Sequence, residues 1–394
     1  MSRLPLTASL LVFLVGCSAA KIEYPDGDGS GDTNPGDTDP GDTDDPGDTD
    51  DPGDTDDPAP DGDDVDDDGD GYTENEGDCD DTDADNSPDG SEDPDDGEDN
   101  DCDGYTDEVE VCDGVYEDIQ EAIDDAADGG TVLICPGRYR ENLFIGNKEL
   151  LVVGIEGASE TTVAGGDNGS PTITLTQGAE VTFQGLTITN GTVSDSGGGI
   201  LCTNGSELGL IEAVVSGNTA GVNGGGVAAT NCDVEISSSE FSDNTATQYG
   251  GGVFISGSDG EVSDSLIADN TADQGGGLYL YNGDVDIIGN TVTGNLATTE
   301  DEEAFGPGSG GGGLWLYTSA TIENNTISGN TSQYHAAGAY FYYGSPDILN
   351  NTVEDNYAWE DGAGVYLNYP SSALIEGNTI NNNEAADDAG GLRI

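Results

Sequence analysis

From residue 197 onward the chain repeats one arrangement of apolar and polar positions. A run of small residues, mostly glycine, closes on an apolar residue at Ile200, Val227, Val253, Leu278, Leu314, Ala339, Val365 and Leu392, in steps of 27, 26, 25, 36, 25, 26 and 27. An asparagine keeps the same phase at Asn218, Asn244, Asn270, Asn295, Asn330, Asn356 and Asn383. Two markers on one such period signal stacked structural repeats. After each glycine cluster the pattern alternates with period two, as in Val253-Phe254-Ile255-Ser256 and Leu314-Trp315-Leu316-Tyr317. That predicts strand, and nothing between clusters is long enough for a helix.

Apolar residues stand three positions before the asparagine (Phe241, Ile267, Val292, Ile327, Val353, Ile380) and eight before it (Ile236, Val262, Ile287, Ile322, Ile348, Ile375). An odd separation cannot keep both on the inner side of one straight strand, so the chain must bend between them. Each repeat is therefore expected to form about three short strands with corners, wound as one coil of a parallel β-helix. Glycine suits the corners, and the in-phase asparagines are expected to stack as an amide ladder from coil to coil. The segment 112–394 resembles the right-handed parallel β-helix superfamily that includes pectate lyases. Its glycine cluster Gly250–Val253 and its Phe241-to-Asn244 phrase are similar to the repeats of polymorphic outer-membrane adhesins. Such motifs specify a fold far better than a function.

Ahead of the repeats, Val115, Ile119 and Ile123 fall on one helical stripe beside Ala122 and Ala126. This predicts a short helix over 115–128 that covers the open first coil, whose unpaired edge would otherwise invite aggregation. Residues 131–145 resemble the opening strands of β-helix domains, and about ten coils should follow. The long step of 36 is explained by an insertion near 298–310, expected to project as a loop.

Charge divides the rest. The chain carries 82 acidic against 6 basic residues, a formal net charge of −76, and 41 of the acidic residues lie between Glu23 and Glu110. Charge of this size argues against nucleic acid or anionic lipid as a partner. Residues 1–16 have a basic start and an apolar run too short to span a bilayer, the form of an export signal. Leu14-Val15-Gly16-Cys17 resembles the bacterial lipobox. The resemblance implies cleavage before Cys17, lipidation of its sulfur and, with Ser18 following, the outer membrane of a Gram-negative cell. Residues 17–60, rich in Asp, Pro, Gly and Thr, read as a disordered spacer.

Residues 61–111 are more specific. They resemble the MopE-type Asp-rich metal-binding motif of bacterial surface proteins at Asp66, Asp68, Asp70, Gly71, Asp78, Cys79, Asp80, Asp81, Asp99, Asn100, Asp101, Cys102, Asp103 and Gly104, departing at Pro94. That family was named for copper, but hard oxygen ligands favour calcium. The expected ligands are Asp66, Asp68, Asp70, Asp78 and Asp80 in a first loop. In a second, Asp99, Asp101, Asp103, the Tyr105 carbonyl, Asp107 and Glu110 follow the twelve-residue calcium-loop spacing. The second loop fits that spacing better, since Gly77 occupies the twelfth place of the first. Besides Cys17 there are six cysteines, an even number that favours disulfides in an exported chain. Neighbour order suggests Cys79–Cys102, Cys112–Cys135 and Cys202–Cys232 among the fifteen possible connectivities.

Two outward columns carry the remaining chemistry. Alternation places Phe254, Tyr279, Trp315, Tyr340 and Tyr366, with Tyr281, Tyr317 and Tyr342 two residues further on, outside the tube. An exposed aromatic strip of that kind suits sugar rings or a partner protein. Nine residues before the asparagine stand Glu235, Glu261, Asp286 and Asp347, with Thr321 interrupting. Carboxylates about 5 Å apart on adjacent strands approach the separation of a retaining glycosidase pair. Only Glu235, Glu261 and Asp286 are weak catalytic candidates, because no lysine or arginine occurs between 149 and 392 to orient them or to hold a polyanion. His335, the sole histidine, is expected at a surface turn. The sequence thus favours a surface-anchored binding or structural rod, recognising polysaccharide or a cell-surface partner, over a polysaccharide lyase or glycoside hydrolase.

Overall fold

The computed structural model describes residues 65–394 except 91–98, 103, 106–107, 113–115, 117, 167 and 300–308. The export signal, Cys17, the acidic spacer, Asp103, Asp107, Val115 and most of the 298–310 insertion therefore lie outside the described residues. The rest of the repeat region winds as expected. A representative coil runs through Glu207–Ile211, Val214–Ser216, Thr219–Ala220 and Val227–Thr230, and the next begins at Asp233. Stacking the coils generates four sheets of 11, 10, 8 and 10 strands, taken in that order around the coil. Successive coils pair in parallel and in register, as where Glu207 lies opposite Asp233 and Val227 opposite Val253. From Glu180 onward each coil has four strands rather than three. The extra one is a two-residue piece just after the asparagine, such as Thr245–Ala246, too short to show any alternation.

Parity sets the core. Ile200, Val227, Val253, Leu278, Leu314, Ala339, Val365, Phe241, Ile267, Val292, Ile327 and Val353 are fully or almost fully buried in one continuous cluster along the tube, whereas on the last coil Ile375 and Ile380 are half-buried and Leu392 is exposed. The bend required by the odd spacing is a single residue in the left-handed region. Ser238, Asp264, Asn324 and Asn350 hold it with φ between 47° and 58°. The next residue then turns inward.

Both of these corners carry ladders. Asn218 Nδ2 donates to Asn244 Oδ1 at 3.1 Å, and the contact repeats at Asn270, Asn295, Asn330, Asn356 and Asn383. Each Oδ1 also accepts the backbone N–H of the asparagine one coil earlier, as where Asn244 N donates to Asn270 Oδ1 at 3.0 Å. A second ladder, not anticipated from the sequence, begins at Ser239 and Ser265 and continues through Asn290, Asn325, Asn351 and Asn378. Its serine start breaks the amide pattern that would have revealed it.

The glycine cluster has a steric cause. A Cβ on Gly226 would stand 2.5 Å from the Gly252 carbonyl oxygen and 3.1 Å from Asn244 Nδ2. The ladder and the neighbouring coil leave no room for one.

At the N-terminal end, the helix Ile119–Asp125 buries Ile119, Ala122 and Ile123 against the first coil. Glu141 accepts the N–H groups of Ile119 and Gln120 at 3.0 and 3.1 Å. Lys148 Nζ donates to the carbonyls of Ile123, Asp124 and Ala126. Both ends of the helix are thereby satisfied by side chains of opposite charge, as the helix dipole favours. The first strand, Glu108–Val111, pairs with Thr131–Ile134, so the solenoid begins four residues before the boundary expected at 112. The disulfides are Cys79–Cys102, Cys112–Cys135 and Cys202–Cys232, with Cα–Cα distances of 5.5, 5.2 and 5.8 Å.

Two substitutions test this account. Asn270→Ala removes the acceptor for two Asn244 donors and the donor to Phe241 O; it should cost about 2–4 kcal/mol in chemical denaturation, since each buried polar group left unpaired costs about 1–3 kcal/mol. Gly226→Ala should cost about 1–3 kcal/mol through overpacking against the Gly252 carbonyl and the Asn244 amide.

Candidate metal centre and the outer columns

The loop at 66–81 is built from aspartates that divide their oxygens between two tasks. One oxygen of each shapes the backbone. Gly69 N donates to Asp66 Oδ1 at 2.6 Å, Asp70 N to Asp68 Oδ1 at 3.1 Å, Tyr72 N to Asp70 Oδ1 at 2.9 Å and Asp80 N to Asp78 Oδ1 at 2.9 Å. Asp67 N likewise donates to Asp81 Oδ1 at 3.1 Å. Gly69 and Gly71 take φ of 88° and 113°, which lets the chain fold around its own carboxylates.

The second oxygens of Asp68, Asp70, Asp78 and Asp81 are buried without a hydrogen-bond partner among the described residues. Asp66, Asp68 and Asp81 can bring oxygens within 4.8 Å of one another, as can Asp68, Asp70 and Asp78, so Asp68 belongs to both groups. Its pKa is raised, first by desolvation, against which the Asp70 N–H works, and then by the charges of Asp70, Asp78 and Asp66. Convergent buried carboxylates facing one another are stable only with protons or a cation between them. All the atoms on offer are hard oxygens, the donor set that suits calcium.

The sequence reading of this region needs three corrections. Asp81, absent from the expected ligands, joins a cluster, and the second aspartate after Cys79 was its signal. Asp80 does not join; its Oδ1 accepts from the Thr82 hydroxyl at 2.7 Å, a turn contact. The preferred second loop assembles no cluster among the described residues. Asp99 Oδ2 accepts from Gly104 N at 3.0 Å, and Glu110, its expected closing ligand, is drawn into the first strand opposite Leu133. Asp101 joins neither group, and Asp103 and Asp107 lie outside the described residues. The first loop closes without a twelfth-position glutamate because Asp78 and Asp81 return from beyond Gly77. The Cys79–Cys102 disulfide ties that returning segment to residues 99–102.

The aromatic column lies outside the tube core, as parity required, but most of it is not open to solvent. Phe254, Tyr279, Trp315 and Tyr340 are 8%, 7%, 3% and 0% exposed and form a cluster of their own. The rings lie on one another from coil to coil. Tyr279 and Trp315 are 4.1 Å apart with planes 5° from parallel, and Phe254 meets Tyr279 at 5.6 Å and 17°. Side chains in register one coil apart pair face to face, which consumes the faces a sugar ring would need. Tyr317, Tyr342 and Tyr366 are half-buried against this cluster, and Tyr281 is exposed. The exposed strip inferred for all eight positions therefore shrinks to its rim.

Glu235, Glu261 and Asp286 do align in register on the first sheet. The Glu235 pKa is raised by desolvation, then by Glu261, Glu207 and Asp233. Asp286 Oδ1 accepts from Thr321 N at 2.8 Å, a role within the sheet.

His335 is not a surface turn residue without companions. It is 12% exposed, 3.7 Å from Asp361 and against the Tyr366 ring, and Arg393 pairs with the same aspartate.

A profile of the family described as "right handed beta helix region" matches residues 166–300 and 251–392, together more than half of the chain. No curated protein matches the sequence. Similar solved structures include the A-module of the mannuronan C-5 epimerase AlgE6 of Azotobacter vinelandii, at 16% identity over 72% of this chain and 97% of that one, with a TM-score of 0.33. The pectin methylesterase of Aspergillus niger is 14% identical over 68% and 84%, at a TM-score of 0.24. ORF18 of Geobacillus virus E2 is 14% identical over 71% and 60%, at a TM-score of 0.28.

The buried histidine sets a pH dependence. Burial first, and then Arg393, depress its pKa from 6.5 to about 4, so the folded chain favours the neutral ring. Its contribution to stability is complete above pH 6.5 and is lost as pH falls from there toward 4. Stability followed by denaturation between pH 7 and 4 should decline less steeply in His335→Gln than in the parent.

Proposed function

The chain belongs to the right-handed β-helix family, and from that premise we propose that it is an exported, lipid-tethered rod that binds calcium ahead of its first coil and polysaccharide on its outer surface. The lipobox resemblance at Cys17 and the acidic spacer support tethering to the outer membrane and display at a distance from it. The observation that carries the calcium reading is the set of four buried carboxylate oxygens, on Asp68, Asp70, Asp78 and Asp81, left without hydrogen-bond partners. Asp66 completes the donor set. A bound cation would neutralise this crowding and fix the loop that leads into the disulfide and the first strand.

Polysaccharide is the favoured ligand because the outer rim presents tyrosines, with Tyr281 46% exposed, on a chain whose charge repels polyanions. A second reading, as a carbohydrate-active enzyme, is favoured by one observation, the raised pKa of Glu235 beside Glu261. It predicts release of new reducing ends from neutral glycans, abolished by Glu261→Gln.

Calorimetric titration of the full chain with calcium chloride tests the leading proposal. Binding with a dissociation constant of about 1 mM or tighter is expected, with the melting temperature rising as calcium is added. Asp68→Asn, which touches both carboxylate groups, should weaken binding by at least about tenfold, and Asp80→Asn should not. Absence of heat and of any thermal shift at 10 mM calcium would refute it.

A further inference from the structure

The residue that follows most strands of the fourth sheet turns the corner in the left-handed region, Thr318 being an exception. Along the rod this position is held by Gln177, Asn204, Asn231, Gly257 and Asn282, with φ between 48° and 66°. Asparagine and glycine are the residues that accept such backbone most readily. In two later coils the same corner holds Tyr343 and Tyr369, at φ 60° and 56°. A bulky aromatic there is strained, and nothing in the core compensates, since the two rings are 41% and 62% exposed. Strain maintained for no packing gain marks a functional position.

The geometry points to a neutral-glycan binding site formed by Tyr343 and Tyr369, with Tyr281, Tyr317 and Tyr342 along its side. The two corner rings are 5.4 Å apart with planes within 22° of each other. Tyr343 is turned 80° from Tyr342 and 63° from Tyr317. The pair thus departs from the stacked column; stacking on each other covers one face of each ring and leaves the opposite faces and the hydroxyl edges as the surface open to a ligand. The two segments that carry it are uncharged. Residues 336–346 and 362–375 contain no charged side chain, in a chain that is 22% charged overall. The corners continue as Tyr343-Gly344-Ser345-Pro346 and Tyr369-Pro370-Ser371-Ser372, a mixture of tyrosine with small polar residues suited to recognition by hydrogen bonds and ring contact. A polyanion is repelled by the net charge, and a cationic partner would find its complement on the carboxylate rows of the first sheet instead. This inference rests on the polysaccharide reading and names its site.

The test is affinity electrophoresis of the full chain in gels containing soluble β-1,4-glucan, xylan or mannan, with the double variant Tyr343→Asn/Tyr369→Asn alongside. Asparagine restores the residue found at the same corner in other coils, so the melting temperature should be no lower than the parent's. Expected is retardation of the parent in at least one glycan and an apparent affinity at least about tenfold weaker in the variant. Equal retardation of parent and variant would overturn this site and leave the polysaccharide reading standing. Absence of retardation in every glycan would overturn both, and binding of a poly-lysine probe that depends on the two tyrosines would show the occupant to be a cationic protein segment instead.

Discussion

Register between adjacent coils is the constraint on which the rest of the molecule depends. Once Glu207 lies opposite Asp233 and Val227 opposite Val253, every position on one coil meets its own equivalent on the next. The backbone then satisfies its donors and acceptors from coil to coil, which a tube of short strands requires. Where the chain turns a corner and the ladder of strand bonds would lapse, a buried asparagine or serine supplies the missing donors and acceptors. The two internal ladders thus replace sheet hydrogen bonding at the corners.

The same rule governs the outside. Equivalent positions meet in every column, and several columns repeat one kind of side chain from coil to coil. For aromatic rings this is favourable, and the stack from Phe254 to Tyr340 is an external counterpart of the asparagine ladder. For carboxylates it is unfavourable, as Glu207 shows: its pKa is raised first by burial and then by the charges of Glu180, Asp233 and Glu149. The aspartate loop meets the same conflict differently, by turning carboxylate oxygens toward one another, where a proton or a cation relieves the repulsion.

The tube was legible because its period, its parity and its asparagine phase are each visible in the order of residues. The inner face followed directly, from Ile200 to Val365, as did the helix over the first coil; neighbour order suggested the three disulfides without excluding the other connectivities. What could not be read was contact between equivalent residues. Alternation correctly sent Tyr279 and Trp315 outward, but it carries no information on how two rings one coil apart cover each other. Spacing alone ranked the loop ending at Glu110 above the loop ending at Gly77, because it does not register that Glu110 belongs to a strand. The strained corner tyrosines were equally hidden, since a positive φ at Tyr343 is visible only when its coil is aligned with those carrying Asn231 and Asn282.

Amide hydrogen exchange across the solenoid, read segment by segment, addresses the central claim most directly. If corner amides complete the hydrogen bonding of the tube, the backbone N–H groups of Asn244, Asn270, Asn295 and Asn330, each donating to a buried side-chain oxygen one coil on, should be protected as strongly as those of the adjoining strands. Exchange at these corners at the rate of the exposed loops, with protection confined to the strands, would contradict it.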